Sequence, residues 1–150
     1  MCSSDLANLV PMVFQRLTAR QSPMVFGDDF DTPDGTCIRD FIHVADIASA
    51  HVAAARGLAE GRVTELVANI GRGEGVSVRE MIGTIREVTG TADEPWSAPV
   101  VTARRAGDPA RVVASADRIH DVLGWQAERD LQDMVSSAWA GWTAGAGQPG

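Results

Sequence analysis

Asp31-Thr32-Pro33-Asp34-Gly35-Thr36-Cys37-Ile38-Arg39-Asp40-Phe41-Ile42-His43-Val44-Ala45-Asp46 passes from a turn through a short strand to the start of a helix. Residues 27–36 are dense in Asp, Gly, Thr and Pro, which punctuate a chain with turns. Residues 38–42 read as a strand. Asp46 is then expected to cap a helix running to about Glu60, with Ile47, Ala50, His51 and Ala54 on one side.

The same alternation of short strands and helices continues on both sides. Upstream, Leu9, Val13, Phe14 and Leu17 follow helical spacing over residues 8–20, with Pro11 suited to the first turn. Residues 23–26 form a short strand that stops at Gly27. Downstream, residues 65–70 read as a strand ending in the glycine run 71–75. Ser77 and Glu80 have capping-box spacing before a helix carrying Met81, Ile82, Ile85 and Val88. Residues 98–102 and 112–114 read as extended. Ser115 is expected to cap a short helix closing at Gly124, and Asp130 with Asp133 opens a last helix bearing Leu131, Met134, Val135, Ala138 and Trp142. No βαβαβ series fills the chain, so the expectation is a mixed α/β lobe rather than a self-contained doubly wound sheet.

The two ends read differently from the rest. Residues 1–6 join the first helix without a sensible cap or turn, and as codons they match the end of a common sequencing adapter. They are expected to be non-native, leaving a lobe over 7–143 and a Gly-rich flexible tail over 144–150.

Composition narrows the function. The 150 residues are 45% hydrophobic and 22% charged, an ordinary soluble balance. A net charge of −7 argues against a nucleic-acid surface, which needs clustered Lys and Arg. No apolar run approaches the ~18–20 residues of a membrane span, and the first residues lack the pattern of a secretory signal. Cys2 and Cys37 have no metal or disulfide-framework spacing, which points to a reducing cytosol. The chain contains no tyrosine, so a mechanism that needs a Tyr base cannot be completed within it.

Four clusters invite chemistry. The run 71–75 sits between a strand and a helix, as a phosphate loop would, but has neither GxGxxG nor GxxxxGK[ST] register, and reads as a flexible connection. His43 and His51 lack further ligands at metal spacing, and His43 reads as structural. Asp28, Asp29, Asp31 and Asp34 lack the glycine and closing glutamate of a calcium loop and read as a polar turn. Arg104, Arg105 and Arg111 fall within eight residues. They form either a solvated loop or a local cationic spot for a small anion. Arg39 and Arg105 are the best candidates, since a guanidinium forks onto phosphate with two parallel hydrogen bonds.

The quoted stretch, with Phe41 where Tyr is usual, resembles the DGTxxRDYIHVxD signature of UDP-glucose 4-epimerases, within the extended short-chain dehydrogenase/reductases. Asn8-Leu9-Val10-Pro11 resembles the family's NL-(I/M)-P segment, and Arg104-Arg105-Ala106-Gly107-Asp108-Pro109 its RRxGD loop. The resemblance runs from about Ala7 to Trp142. It implies the C-terminal, substrate-binding lobe of an extended Rossmann-type sugar-nucleotide epimerase that interconverts UDP-glucose and UDP-galactose in the cytoplasm.

The family's roles transfer where residues match. Asn8 and Leu9 would contact the nucleotide sugar. Met24, Val25 and Phe26 would line the uracil pocket, although an apolar strand is also ordinary core. Arg39 and Arg105 would hold the diphosphate, and Asp108 would accept from the ribose hydroxyls. In the family NAD takes a hydride from sugar C4 while a Tyr of a YxxxK motif removes the hydroxyl proton. That motif and the GxxGxxG loop are absent here, so the resemblance implies that NAD binding, catalysis and the homodimer contacts belong to a missing half. The 150-residue chain is accordingly expected to be inactive. It is also expected to be poorly stable, because the helix after Asn8 would bare an apolar face. Two other readings fit: a lobe of a related UDP-sugar epimerase or decarboxylase, and a noncatalytic UDP-sugar-binding module.

Overall fold

The computed structural model describes residues 8–145. The expectations for residues 1–6 and for the end of the tail lie outside the described residues. Helix α1 (Leu9–Thr18) is followed by β1 (Met24–Phe26), β2 (Ile38–Arg39), α2 (Val44–Ala59) and β3 (Val76–Ser77). Then come α3 (Val78–Val88), a 3-10 turn (Pro95–Ser97), β4 (Val100–Thr102), β5 (Arg111–Val112), α4 (Asp117–Leu123) and α5 (Leu131–Gly145). The strands make two small sheets. In one, β1 lies parallel to β4, with Phe26 opposite Thr102. In the other, β2 is central, antiparallel to β3 and parallel to β5.

The main core lies where α1, α3 and α5 meet. Val13, Phe14 and Leu17 of α1 pack with Met81, Ile82 and Ile85 of α3 and Val135 of α5, all buried. Phe14 is flanked by Trp139 and Trp142, with ring centroids 5.1 and 5.8 Å away. The apolar face of α1 is therefore covered within this chain, contrary to the expectation that it would be bared. The large exposed apolar residues lie elsewhere, notably Val44 at 75% and Val67 at 81%. A smaller cluster of Ala50, Ile119 and Trp125 joins α2 to α4.

Most local signals that need only neighbouring residues hold; the expected Ser115 cap does not, since the residue preceding α4 is Ala116, whose side chain makes no cap hydrogen bond. Ser77 Oγ accepts the Glu80 N–H at 3.0 Å while Glu80 accepts the Ser77 N–H at 2.7 Å, the reciprocal pair that a capping box requires. Asp130 and Asp133 accept each other's backbone N–H at 2.8 and 3.2 Å ahead of α5. Gly124 closes α4 at φ 67°. Helix α5 runs to Gly145, two residues into the segment read as tail.

Signals that depend on distant partners differ. The strand read over 38–42 stops at Arg39. The next N–H, of Asp40, still bonds to Val112 O, but its carboxylate accepts N–H groups from Arg72, Gly73 and Ala114 at 3.1, 3.1 and 3.2 Å. Helix α2 begins three residues early, because His43 rather than Asp46 is the cap, its Nδ1 accepting the Ala45 N–H at 2.9 Å. Asp46 is not the cap: it is 1% exposed and binds the Arg129 guanidinium and backbone N–H. Residues 65–70 join no ladder among the described residues; Ala68 and Ile70 pack instead on the α2–α4 cluster.

The turn before β2 is fixed by its own side chains. Gly35 has φ +78°, and a Cβ there would lie 2.1 Å from the Asp28 carbonyl oxygen, so only glycine fits. Asp34 accepts the Thr36 N–H at 2.9 Å and hydroxyl at 2.7 Å, and the Ser77 hydroxyl at 2.5 Å. Burial pushes the Asp34 carboxyl up. The Ser77 and Thr36 hydrogen bonds and the nearby Arg79 charge outweigh it and hold the group below its ordinary value. A lowered folded-state value stabilises the fold above the unfolded pKa of about 3.9, and that contribution fades as pH falls through the folded value. In urea titrations, wild type should therefore exceed Asp34→Asn in stability at pH 6, with the gap closing below about pH 4.

Candidate functional site

The residues singled out from the sequence come from four separate segments, and the two sheets bring them together. Strand β4 ends beside Phe26, and the chain then crosses over residues 103–110 to enter β5 beside β2. This crossing loop is fastened at both ends. Near β4, the Arg105 guanidinium carbon sits 3.9 Å from the centroid of the Phe26 ring. Near β5, Arg39 Nη1 donates to the carbonyls of Ile38 at 2.8 Å and Pro109 at 2.9 Å, while Nη2 meets Asp108 Oδ1 at 3.5 Å.

Between these fastenings lies a cleft of about 200 Å³. Leu9, Met24, Val25, Phe26, Arg39, Arg105 and Asp108 all line it. Seven of the eight candidates thus share one site. Asn8 does not. It lines a neighbouring apolar groove of about 520 Å³, which Leu9 and Phe41 also border. Val25 serves two ends, since it is 1% exposed in the main core and also borders the cleft.

The cleft combines apolar and charged lining. Leu9, Met12, Met24 and Phe26 supply the first; two guanidiniums and one carboxylate supply the second. Among the described residues Arg105 has no carboxylate partner, whereas Arg39 shares Asp108. An anion entering the cleft beside Arg105 therefore meets a guanidinium whose hydrogen-bonding edge is not committed to a carboxylate.

Met12, Cys37 and Phe41 also line the cleft and were not singled out from the sequence. A signal for each of them was available. Cys37, Arg39 and Phe41 alternate by two, so an extended segment that points Arg39 into the cleft points its flanking residues there too. Met12 lies one helical turn after Leu9.

The other clusters are engaged structurally. The amides of Arg72 and Gly73 donate to Asp40, and a Cβ at Gly71 would come within 2.5 Å of that carboxylate. The glycine run thus spends its donors on Asp40, and the described residues do not fit a dinucleotide loop there. His43 uses Nδ1 as the α2 cap and places Nε2 2.8 Å from Ser137 Oγ. Asp34 is held in its turn. No group of three or more His, Cys, Asp or Glu among the described residues could hold a metal ion, and no helix among them is long and apolar enough to cross a membrane.

The family model described as "NAD dependent epimerase/dehydratase family" matches residues 3–71. More particularly, the chain is homologous to UDP-glucose 4-epimerases. It is 44% identical over 137 residues to that of Azospirillum brasilense, covering 90% of this chain and 38% of the relative. A crystal structure of UDP-glucose-4-epimerase from Stenotrophomonas maltophila with bound NAD and formylated UDP-arabinopyranose superposes with a TM-score of 0.81 at 36% identity. That match covers 97% of this chain and 43% of the other. The Bifidobacterium longum enzyme in complex with NAD+ and UDP gives 0.79 at 36% identity, over 93% and 40%. The resemblance in the quoted signatures is thereby borne out. The chain spans about two fifths of the length of the curated relatives it matches.

Proposed function

We propose that this chain is the UDP-sugar-binding lobe of a UDP-glucose 4-epimerase. The observation that carries the reading is the convergence of seven candidates from four segments on one cleft lined by both apolar side chains and two guanidiniums. Met24, Val25 and Phe26 border the uracil, Arg39 and Arg105 grip the diphosphate, and Asp108 accepts from the ribose hydroxyls. Asn8 and Leu9, at the junction with the neighbouring groove, meet the hexose end. Interconversion of UDP-glucose and UDP-galactose requires the sugar to turn over while the nucleotide stays put. A site with its strong anchors on UDP meets that requirement.

In this reading the intact protein is a cytoplasmic homodimer that uses NAD, as expected from the resemblance. On the same reading the glycine run takes no part in holding NAD, because the amides of Arg72 and Gly73 already donate to Asp40. Nor does the chain contain the Tyr that the family's proton transfer needs. The lobe alone therefore binds and does not turn over.

Calorimetric titration with UDP tests the reading. The expected result is saturable one-to-one binding, with uridine, which lacks the diphosphate, binding at least about tenfold more weakly. A folded chain that binds neither ligand would sink it. Conversion of UDP-galactose to UDP-glucose by this chain with added NAD would overturn its restriction to binding.

A further inference from the structure

Arg104 and Arg105 are adjacent, yet their side chains part. Neighbouring residues in extended chain point to opposite sides. Arg105 lies over Phe26 and borders the cleft, whereas the Arg104 guanidinium carbon lies 3.8 Å from the centroid of Phe30. The two aromatic platforms flank Gly27. A Cβ at Gly27 would lie 3.0 Å from both Arg104 Cβ and Phe30 Cε2, so the loop presses directly on the turn after β1. Gly27 in turn donates its N–H to Thr102 O at 3.0 Å, at the point where the loop departs. Phe30 is a fixed platform: it is 5% exposed, and its N–H bonds to Gly35 O at 2.9 Å. Arg104 also approaches Asp29 at 3.8 Å. It does not border the cleft.

From this arrangement we infer that Arg104 is a positioning residue. Its flat guanidinium, clamped on Phe30 beside Asp29, pins the crossing loop at Gly27 and so presents Arg105 to a diphosphate in the cleft. The inference rests on the proposed UDP site but assigns Arg104 no contact with the ligand. Stacking rather than charge is the operative feature, because a planar guanidinium lies flat on a ring and an ammonium does not.

Titration of the full chain with UDP and with uridine, in single and double variants, tests it. Arg104→Ala should weaken UDP about two- to fivefold, the scale of one exposed cation–π contact, and leave uridine unchanged. In an Arg105→Ala background the same substitution should have no further effect, because the residue it acts through is gone. Arg104→Lys should behave like Arg104→Ala. An additional loss in the Arg105→Ala background would mean that Arg104 touches the ligand, and wild-type affinity in the lysine variant would mean that charge suffices; either overturns the inference, as does wild-type affinity in Arg104→Ala.

If the wild-type chain does not bind UDP, the reading of the cleft fails separately, and the side-chain Nε–Hε resonance of Arg105 decides the positioning claim. A ring-current shift from Phe26 that disappears in Arg104→Ala supports it. A resonance that is unshifted in wild type, or unchanged in the variant, overturns it.

Discussion

Arg105→Ala is expected to raise the dissociation constant for UDP by about ten- to a hundredfold, while uridine affinity changes by less than about twofold. The guanidinium can give two parallel, charge-assisted hydrogen bonds to a diphosphate, and such bonds are worth roughly 1.5–3 kcal/mol each. Arg105 is the cleaner of the two arginines to test. It is exposed and held only by the face of Phe26, so its loss should move the unfolding free energy by no more than about 0.5 kcal/mol. Arg39, by contrast, ties β2 to Pro109 and Asp108, so its removal would loosen the loop and weaken UDP for two reasons at once. Calorimetry with both ligands on the Arg105 variant gives the answer. Unchanged UDP affinity would mean that the diphosphate does not lie against Arg105.

Arg129→Ala should destabilise the fold by about 3 kcal/mol, more than Asp46→Ala at the other end of the same ion pair. The asymmetry follows from burial. The Asp46 side chain is 1% exposed and that of Arg129 40%. Removing the arginine leaves a buried carboxylate with the backbone N–H of residue 129 at 3.0 Å as its remaining bond from that segment. Removing the aspartate leaves a guanidinium already half in water, which can be solvated there. Urea unfolding of the two variants measures the difference. Equal losses, or a larger loss for the aspartate variant, would show that the buried charge is not what the pair stabilises. The pair also links the start of α2, where the stretch 31–46 ends, to the segment that leads into α5.

Much of the site could be read in the sequence because it lies in short contiguous motifs. The residues around Asp34, Arg39 and Asp108 carry a signature whose order and spacing are visible without coordinates. The flanking Cys37 and Phe41 were within reach through strand alternation. Asn8 shows where such reading stops. It sits one residue before Leu9, yet as the residue preceding the helix it falls on the groove side of the junction while Leu9 borders both sites. Sequence spacing does not say on which side of a helix start a cleft will close.

The sequence by itself determined the helices, the Ser77 cap and the turn before β2, because each depends on residues a few positions apart. The Ser77–Glu80 box, the Asp130–Asp133 pair and the positive φ of Gly35 are local in this sense. Only the tertiary structure decided the roles of Asp40, Asp46 and residues 65–70. Asp46 looked like a cap until Arg129, 83 positions away, claimed its carboxylate. Asp40 looked like strand, and its N–H still bonds to Val112 O, but its carboxylate is taken up by the amides of residues 72, 73 and 114. Residues 65–70 have strand-like composition, but a strand exists only where a partner offers its hydrogen bonds, and among the described residues none does. A side chain's polar group binds whatever donor the fold brings to it, and for these positions that donor is remote in sequence.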